Sequence, residues 1–387
     1  MMLEQKAFLS GNEAVAAAVR LARPHVIAAY PITPQTTVIE RLAEMVEEQS
    51  LKAEYLHVES EHSALSACIG ASAVGARTFT ASSSQGLLYM AECLHYASGG
   101  RFPVVMMNAN RSLALPWNIY GDQRDSLSLL DCGWIQAYAE DAQESFDLII
   151  QAYAIAEHPD VLTPMMINLD GFVITHTYEL VSLPAQQDVD AFLPPFQTTN
   201  KMDLDHPMSL GFTAGPAFNQ SFKQLQHLAM MAAVTVIDEV EARFRQFFGR
   251  HYPGLLETMH CNDAEFILVT LGSVAGTVRP VIEKLRSLGE RVGFVRIRYM
   301  RPFPDAEIRK ALAGSKAVGV LEKDISFGFE GTVFTNVNSA LMRTKVVQPR
   351  LRNFIGGLGG KDIAAADIEQ IFERMKSTDD GESVEFI

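Results

Sequence analysis

The chain has few cysteines, only two tryptophans and no long apolar run, and these shortages close off classes of function. Its four cysteines, Cys68, Cys93, Cys132 and Cys261, stand far apart. None forms a Cys-x-x-Cys pair, and the spacings suit neither a zinc site nor an iron–sulfur cluster. They read as buried free thiols. Gly, Ser or charge breaks every apolar stretch well short of a membrane span. The N-terminus lacks the basic-then-apolar layout of a signal peptide, so the expected compartment is cytoplasmic. Basic residues are outnumbered, 32 Lys and Arg against 46 Asp and Glu, for a formal net charge of −14. That balance argues against a nucleic-acid surface. There is no Walker A sequence and no Gly-Asp-Gly…Asn metal motif, so the chain alone is not expected to hold Mg²⁺ with a diphosphate. No Ser/His/Asp pattern stands out, Ser84-Gln85-Gly86 is not a nucleophile elbow, and the histidines show no metal spacing.

Apolar residues make up 48% of the 387 residues and charged residues 20%, enough for a large core. The length predicts roughly two or three domains. Ser10 to Glu13 reads as a capping box before a helix to about Ala22. Val26 to Tyr30 reads as a buried strand, and Pro31-Ile32-Thr33-Pro34 as a stiff loop that presents Thr33. A helix is predicted from Thr37 to about Glu48. Further strands are predicted at Ala53 to Val58, Arg77 to Ala81, Pro103 to Asn108, Trp134 to Tyr138 and Pro164 to Leu169, with a strongly amphipathic helix from Gln143 to about Glu157. Ser82 to Gly86 reads as a polar loop, and Asn110 to Asp125 as irregular. Strands alternating with helices imply a mostly parallel sheet. The fold class is α/β, with residues 1–190 as a first domain and 191–262 as a linker or arm whose helix runs from Ser221 to Phe248. A second α/β domain follows at 263–376, with a frayed acidic tail at 377–387.

The most informative stretch is Val58-Glu59-Ser60-Glu61-His62-Ser63-Ala64, where a strand gives way to a small-residue helix. A carboxylate at the end of a strand in such a sheet stands where ligands sit. The plainer reading is that Glu61 only complements the helix dipole. Arg111, after the third buried strand, could cap carbonyls, pair with an acid or receive a carboxylate bidentately. Arg124 lies between Asp122 and Asp125, and an ion pair is the safer reading there. Gly272-Ser273-Val274-Ala275-Gly276 reads as a tight strand–helix turn, and Gly356-Gly357-Leu358-Gly359-Gly360 as a flexible loop.

Tyr30-Pro31-Ile32-Thr33-Pro34, Val58 to Ala64, Ser83-Ser84-Gln85-Gly86-Leu87 and Asp131-Cys132-Gly133-Trp134-Ile135-Gln136 together resemble the α subunit of the 2-oxoacid:ferredoxin oxidoreductases, of the pyruvate type. Leu169-Asp170-Gly171-Phe172, Met300-Arg301-Pro302-Phe303-Pro304 and Gly356 to Gly360 extend the resemblance over nearly the whole chain. The resemblance implies a pyrimidine-binding thiamine-diphosphate domain followed by a transketolase C-terminal-like domain. It also implies thiamine diphosphate shared with a β subunit that carries Mg²⁺, the diphosphate site and an iron–sulfur cluster, together with a γ subunit and a ferredoxin-like δ subunit that carries electrons on, the 4Fe–4S clusters lying in partner subunits and not in this chain. The expected reaction is decarboxylation of a 2-oxoacid to an acyl-coenzyme A, with electrons passed to ferredoxin.

Carried over residue by residue, Glu61 is the group on the aminopyrimidine ring, Ile32, Ser84 and Gln85 are cofactor contacts, and Thr33 and Arg111 bind the substrate. The oxalate-acting branch carries arginine where Thr33 stands, which argues against oxalate. Gln123 and Arg124 depart from the family's usual histidine after the aspartate, which leaves the 2-oxoacid open. Trp117 and Tyr120 could line a roomier pocket for an aromatic 2-oxoacid such as phenylglyoxylate, or simply pack the loop. From a different class, the chain could be a non-catalytic assembly subunit.

Overall fold

The alternating pattern becomes an α/β protein in the computed structural model, which describes residues 5–211, 213–343, 348–377 and 384–387. The first part runs β1 (Gln5–Ser10), α1 (Gly11–Ala22), β2 (Val26–Ala29), α2 (Thr36–Glu47), β3 (Glu54–His57), α3 (Glu61–Ser72), β4 (Thr78–Ser82), α4 (Ser84–Tyr89) and α5 (Ala91–Gly99). It continues through β5 (Val105–Asn110), α6 (Arg124–Leu127), β6 (Ile135–Tyr138), α7 (Ala142–Ala156), β7 (Met165–Asp170) and β8 (Tyr178–Leu183). Then come α8 (Gln186–Phe192), the long α9 (Pro216–Phe248), β9 (Leu256–Met259), β10 (Phe266–Leu271), α10 (Ala275–Ser287) and β11 (Val292–Ile297). The chain ends with β12 (Tyr299–Arg301), α11 (Asp305–Leu312), β13 (Ala317–Glu322), α12 (Thr332–Leu341), β14 (Arg350–Ile355), α13 (Ala365–Lys376) and β15 (Val384–Phe386).

Two sheets organise these elements. The first has the order β12-β6-β7-β5-β4-β2-β3 and the second β15-β14-β13-β10-β11-β9. Both are parallel except at one edge, where β12 and β9 run antiparallel to their neighbours. The inner strands β4, β5 and β7 are buried at every residue, as expected where helices cover both faces. Fully burying each of their Val, Ile and Met side chains contributes about 1.5–3 kcal/mol.

The capping box before α1 is present: Glu13 N donates to Ser10 Oγ at 3.3 Å, and Ser10 N donates to Glu13 Oε2 at 3.0 Å. Helix α9 starts at Pro216 rather than Ser221, because proline fits the first helical turn, where its missing N–H costs nothing. Helix α7 is not strongly amphipathic. Nearly every residue of it is buried, because α1, α9, β7 and β8 all pack on it. Where a frayed end was expected, Val384–Phe386 instead extends the second sheet in parallel with β14. The strand pair β1–β8, helix α8 and the edge strands β9 and β12 were not anticipated.

Strand β12 leaves the second sheet's chain to close the first sheet against β6, so the two α/β units are stitched together. A buried ion network reinforces the seam. Arg296 Nη1 donates to Glu144 Oε2 at 2.6 Å, Arg298 Nε to Glu144 Oε1 at 2.7 Å and Arg298 Nη1 to Glu241 Oε1 at 2.9 Å.

Candidate functional site

Strands β5, β4, β2 and β3 are consecutive neighbours and parallel, so their C-terminal ends open on one edge. Ile32 and Thr33 follow β2, Glu61 follows β3, Ser84 and Gln85 follow β4, and Arg111 follows β5. All six residues singled out in the sequence therefore lie on the ligand-binding edge of an open α/β sheet.

Glu61 is the first residue of α3 and only 8% exposed. Capping falls to Ser60, whose Oγ accepts from Ser63 N at 3.2 Å. Among the described residues the Glu61 carboxylate has neither a hydrogen-bond donor nor a cation. A Cβ built on Gly86 would stand 2.8 Å from both Cγ and Cδ of Glu61. Only glycine lets α4 run this close to the carboxyl.

The loop after β2 is held from both sides. Its Thr33–Pro34 bond is cis. Gln35 Nε2 donates to Tyr30 O at 2.8 Å, and Asn12 Nδ2 donates to Pro34 O at 2.8 Å. Thr33 is exposed, and its carbonyl accepts from Arg111 Nη1 at 3.1 Å. Ile32 is half-buried, and its carbonyl accepts from Gln35 N at 2.9 Å.

Arg111 is 6% exposed, its Nε donates to Asn118 O at 3.0 Å, and its guanidinium lies over the Trp117 ring at 5.5 Å. Burial holds the guanidinium below its ordinary pKa, and the nearby Asp125 carboxylate offsets part of that. Trp117 is otherwise open to solvent, while the Tyr120 ring packs on Phe172 at 4.9 Å.

Ser84 and Gln85 form the first turn of α4 rather than a loop. Ser84 has a left-handed φ of 52°, and its single hydroxyl proton lies within hydrogen-bond reach of two acceptors, Ser112 O at 2.8 Å and Gln85 Oε1 at 2.5 Å from Oγ. Its N–H donates to Asp125 Oδ2 at 3.0 Å.

Asp125 is the site residue the sequence reading missed. It was weighed only as a partner for Arg124, which pairs with Asp122 at 2.9 Å. Asp125 is fully buried, and it also accepts from Arg111 N at 3.1 Å, Asn110 Nδ2 at 2.7 Å and Ser126 N at 2.8 Å. Burial pushes its carboxyl up to about 6, and these donors offset only part of the rise. No local sequence pattern marks such a hub.

Gln123, in the segment that departs from the family's usual pattern, donates through Nε2 to Asp170 at 3.1 Å. Asp170 ends β7 and also accepts from Ser273 N at 2.9 Å and Lys323 Nζ at 3.1 Å, so it bridges to the second sheet. Burial alone would raise its carboxyl, but Lys323 and Ser273 together hold it below its ordinary value.

The cysteines are free, with Cys68, Cys93 and Cys132 buried and Cys261 half-buried. No described helix is long and apolar enough to cross a membrane. Among the described residues no cluster of three His, Cys, Asp or Glu could hold a metal ion.

A largely parallel sheet with its loops and a buried carboxyl gathered at one edge, beside a second α/β unit, defines the class of open-sheet α/β proteins that bind ligands at their strand ends. Residues 17–242 match the family described as pyruvate flavodoxin/ferredoxin oxidoreductase, thiamine diphosphate-binding, and residues 264–368 match pyruvate:ferredoxin oxidoreductase core domain II. The chain belongs to this family of 2-oxoacid:ferredoxin oxidoreductases. It is 48% identical over 369 residues to the pyruvate synthase subunit PorA of Methanothermobacter thermautotrophicus, covering 95% of each chain. It is 44% identical over 372 residues to the ketoisovalerate oxidoreductase subunit VorA of Pyrococcus horikoshii, covering 96% of this chain and 94% of that one. The fold is shared with the solved 2-oxoglutarate:ferredoxin oxidoreductase of Magnetococcus marinus, at a TM-score of 0.75 and 20% identity. That match covers 96% of this chain but 65% of the other.

The residues present fit the aminopyrimidine half of thiamine diphosphate. A ring nitrogen needs a carboxyl partner that no other group already occupies. Glu61, buried and without a donor or cation among the described residues, meets that requirement, and the missing Cβ at Gly86 leaves it room.

Proposed function

We propose that this chain is the α subunit of a thiamine-diphosphate-dependent 2-oxoacid oxidoreductase that contributes the aminopyrimidine side of the active site. The single observation that carries the reading is Glu61: a buried carboxyl, partnerless among the described residues, at the ligand edge of the sheet. When bound, the cofactor supplies the carbanion chemistry that cleaves the carboxylate from the 2-oxoacid. This chain's residues bind and orient. Glu61 holds the ring nitrogen and its proton, with Ile32, Ser84 and Gln85 around the ring. Arg111 receives the substrate carboxylate through its fork of N–H donors, and Thr33 flanks it.

In this reading the product is an acyl-coenzyme A, and electrons leave through iron–sulfur clusters of partner subunits to ferredoxin. Mg²⁺ and the diphosphate belong to a β subunit, with γ and δ subunits completing the assembly. The substrate is pyruvate, the acid named for the PorA relative. A branched 2-oxoacid is the second reading, because the VorA relative, named for ketoisovalerate, is nearly as similar.

The test is a panel of pyruvate, ketoisovalerate and phenylglyoxylate offered to the purified complex, read by coenzyme A-dependent ferredoxin reduction. Pyruvate should give the highest kcat/KM. A complex that contains no thiamine compound and reduces no ferredoxin with any of the three would leave only the assembly-subunit reading.

A further inference from the structure

The stretch Gly356 to Gly360 reads in sequence as a flexible loop, yet its main chain grips the segment that holds Arg111. Asn118 Nδ2 donates to Gly359 O at 2.8 Å, and Gly359 N donates to Asp122 Oδ2 at 3.1 Å. Asn118 Oδ1 in turn accepts from Tyr120 N at 2.7 Å, and the Asn118 carbonyl accepts from Arg111 Nε at 3.0 Å. One asparagine thus joins the second α/β unit to the guanidinium at the edge of the first sheet.

The glycines follow from this contact. Gly359 and Gly360 have φ of 61° and 80°, in the left-handed region that favours glycine. A Cβ on Gly359 would collide with Asn118 Nδ2, and a Cβ on Gly360 with Tyr120 Cβ. The paired glycines therefore form a seat shaped for residues 118–120 rather than a slack connection.

Arg111 has two main-chain anchors, Asn118 O on Nε and Thr33 O on Nη1. These fix the plane of the guanidinium, and a plane set before the ligand arrives lowers the ordering cost of a bidentate contact with a carboxylate. Thr33 O is steadied within the first unit, where Asn12 and Gln35 hold the loop. Asn118 O is steadied from the second unit.

We propose that Asn118 is a positioning residue for the substrate carboxylate. Hooked to Gly359, it fixes the carbonyl that orients Arg111, so the second unit tunes affinity for the 2-oxoacid without touching it. This rests on the reading of Arg111 given under Proposed function.

The test uses the purified complex with its partner subunits and steady-state kinetics in the 2-oxoacid and in coenzyme A. Asn118→Asp keeps the acceptor for Tyr120 N but turns the donor facing Gly359 O into a second acceptor. It should raise KM for the 2-oxoacid about tenfold, the loss expected for one half-buried hydrogen bond. The kcat should change less than about twofold, the pattern of lost ground-state binding. KM for coenzyme A should not move. Gly359→Ala should act in the same direction, and Asn118→Ala/Gly359→Ala should be no worse than Asn118→Ala alone, because both act on one contact. An unchanged KM for the 2-oxoacid in Asn118→Asp, with the wild-type complex active, overturns the proposal and leaves the functional reading standing. An equal rise in KM for coenzyme A overturns it in favour of a purely structural role. A wild-type complex that turns over no 2-oxoacid overturns the functional reading, and this proposal with it.

Discussion

Ser84 and Arg111, which follow adjacent strands, both point their main-chain N–H at one oxygen of Asp125, at 3.0 and 3.1 Å. The other oxygen takes Asn110 Nδ2 and Ser126 N at 2.7 and 2.8 Å. The loops after β4 and β5 therefore hang from a single buried carboxyl. Asparagine in its place offers one acceptor oxygen and an unwanted donor. Asp125→Asn should destabilise the folded chain by about 1–3 kcal/mol, the cost of leaving a buried donor unpaired. Titration adds a second signature. The carboxyl is raised from 3.8 to about 6, so its contribution is fully present below 3.8 and is lost as pH rises through about 6. Denaturation midpoints measured across that window should fall less steeply with pH in the variant than in the wild type. Parallel pH profiles would show that Asp125 does not titrate as the geometry demands.

Glu61 can serve an aminopyrimidine ring only while its carboxyl can hold a proton. Glu61→Gln keeps the shape and removes that capacity. Turnover of the complex should drop by at least about a hundredfold, the scale of a lost proton-transfer group, while the subunits still co-purify. Near-wild-type turnover would refute the role assigned to Glu61.

Gly86 gives an independent check on the same carboxyl, because a Cβ there would press on Glu61 Cγ and Cδ. Gly86→Ala should weaken thiamine diphosphate binding by about tenfold or more, the effect of overpacking by one methyl. Titration of the cofactor into cofactor-free complex reads this directly. Wild-type affinity would mean that Glu61 moves aside at no cost.

Much of this site was legible because its framework is local. The capping box at Ser10 and Glu13 is three residues apart, and the buried strands read as short apolar runs between prolines, glycines and polar turns. Parallel neighbours then deliver their ends to one edge without further information. What escaped depends on partners far away in sequence. Strand β12 is three residues long and pairs with β6 of the other unit. Strands β1 and β8 form a two-stranded ribbon with Phe8, Tyr178 and Leu180 exposed, so no buried apolar alternation marks them. Asp125 looks like one more acid in a polar loop until tertiary structure places Ser84 above it. Gly359 looks slack until Asn118 is seen to occupy the space a side chain would take.

Arg111→Lys separates charge from shape. Lysine keeps the cation but loses the planar fork and cannot reach Asn118 O and Thr33 O while also gripping a carboxylate. KM for the 2-oxoacid should rise by about ten- to a hundredfold, with a smaller fall in kcat, as expected when a bidentate contact becomes a point charge. An unchanged KM would remove Arg111 from the substrate site.

The seam between the two units should fail in acid through Glu144. Burial alone would raise its pKa, but Arg296 and Arg298 hold it at about 2, below the ordinary 4.5. Its stabilising contribution is therefore present above 4.5 and lost as pH falls through about 2. Glu241 has the opposite sign. Burial outweighs its bond to Arg298 and pushes it up to about 7, so its ionisation erodes stability between 4.5 and about 7. Glu144→Gln removes the carboxylate shared by two buried guanidinium groups, leaving Arg296 to Glu257 and Arg298 to Glu241, and should cost about 1.5–3 kcal/mol at neutral pH. Because the wild type loses the same contribution in acid, the gap between wild type and variant should narrow steadily as pH drops below 4.5. Chemical denaturation at a series of pH values measures that gap. A gap that stayed constant down to pH ~2 would mean that Glu144 is not the ionised partner of Arg296 and Arg298.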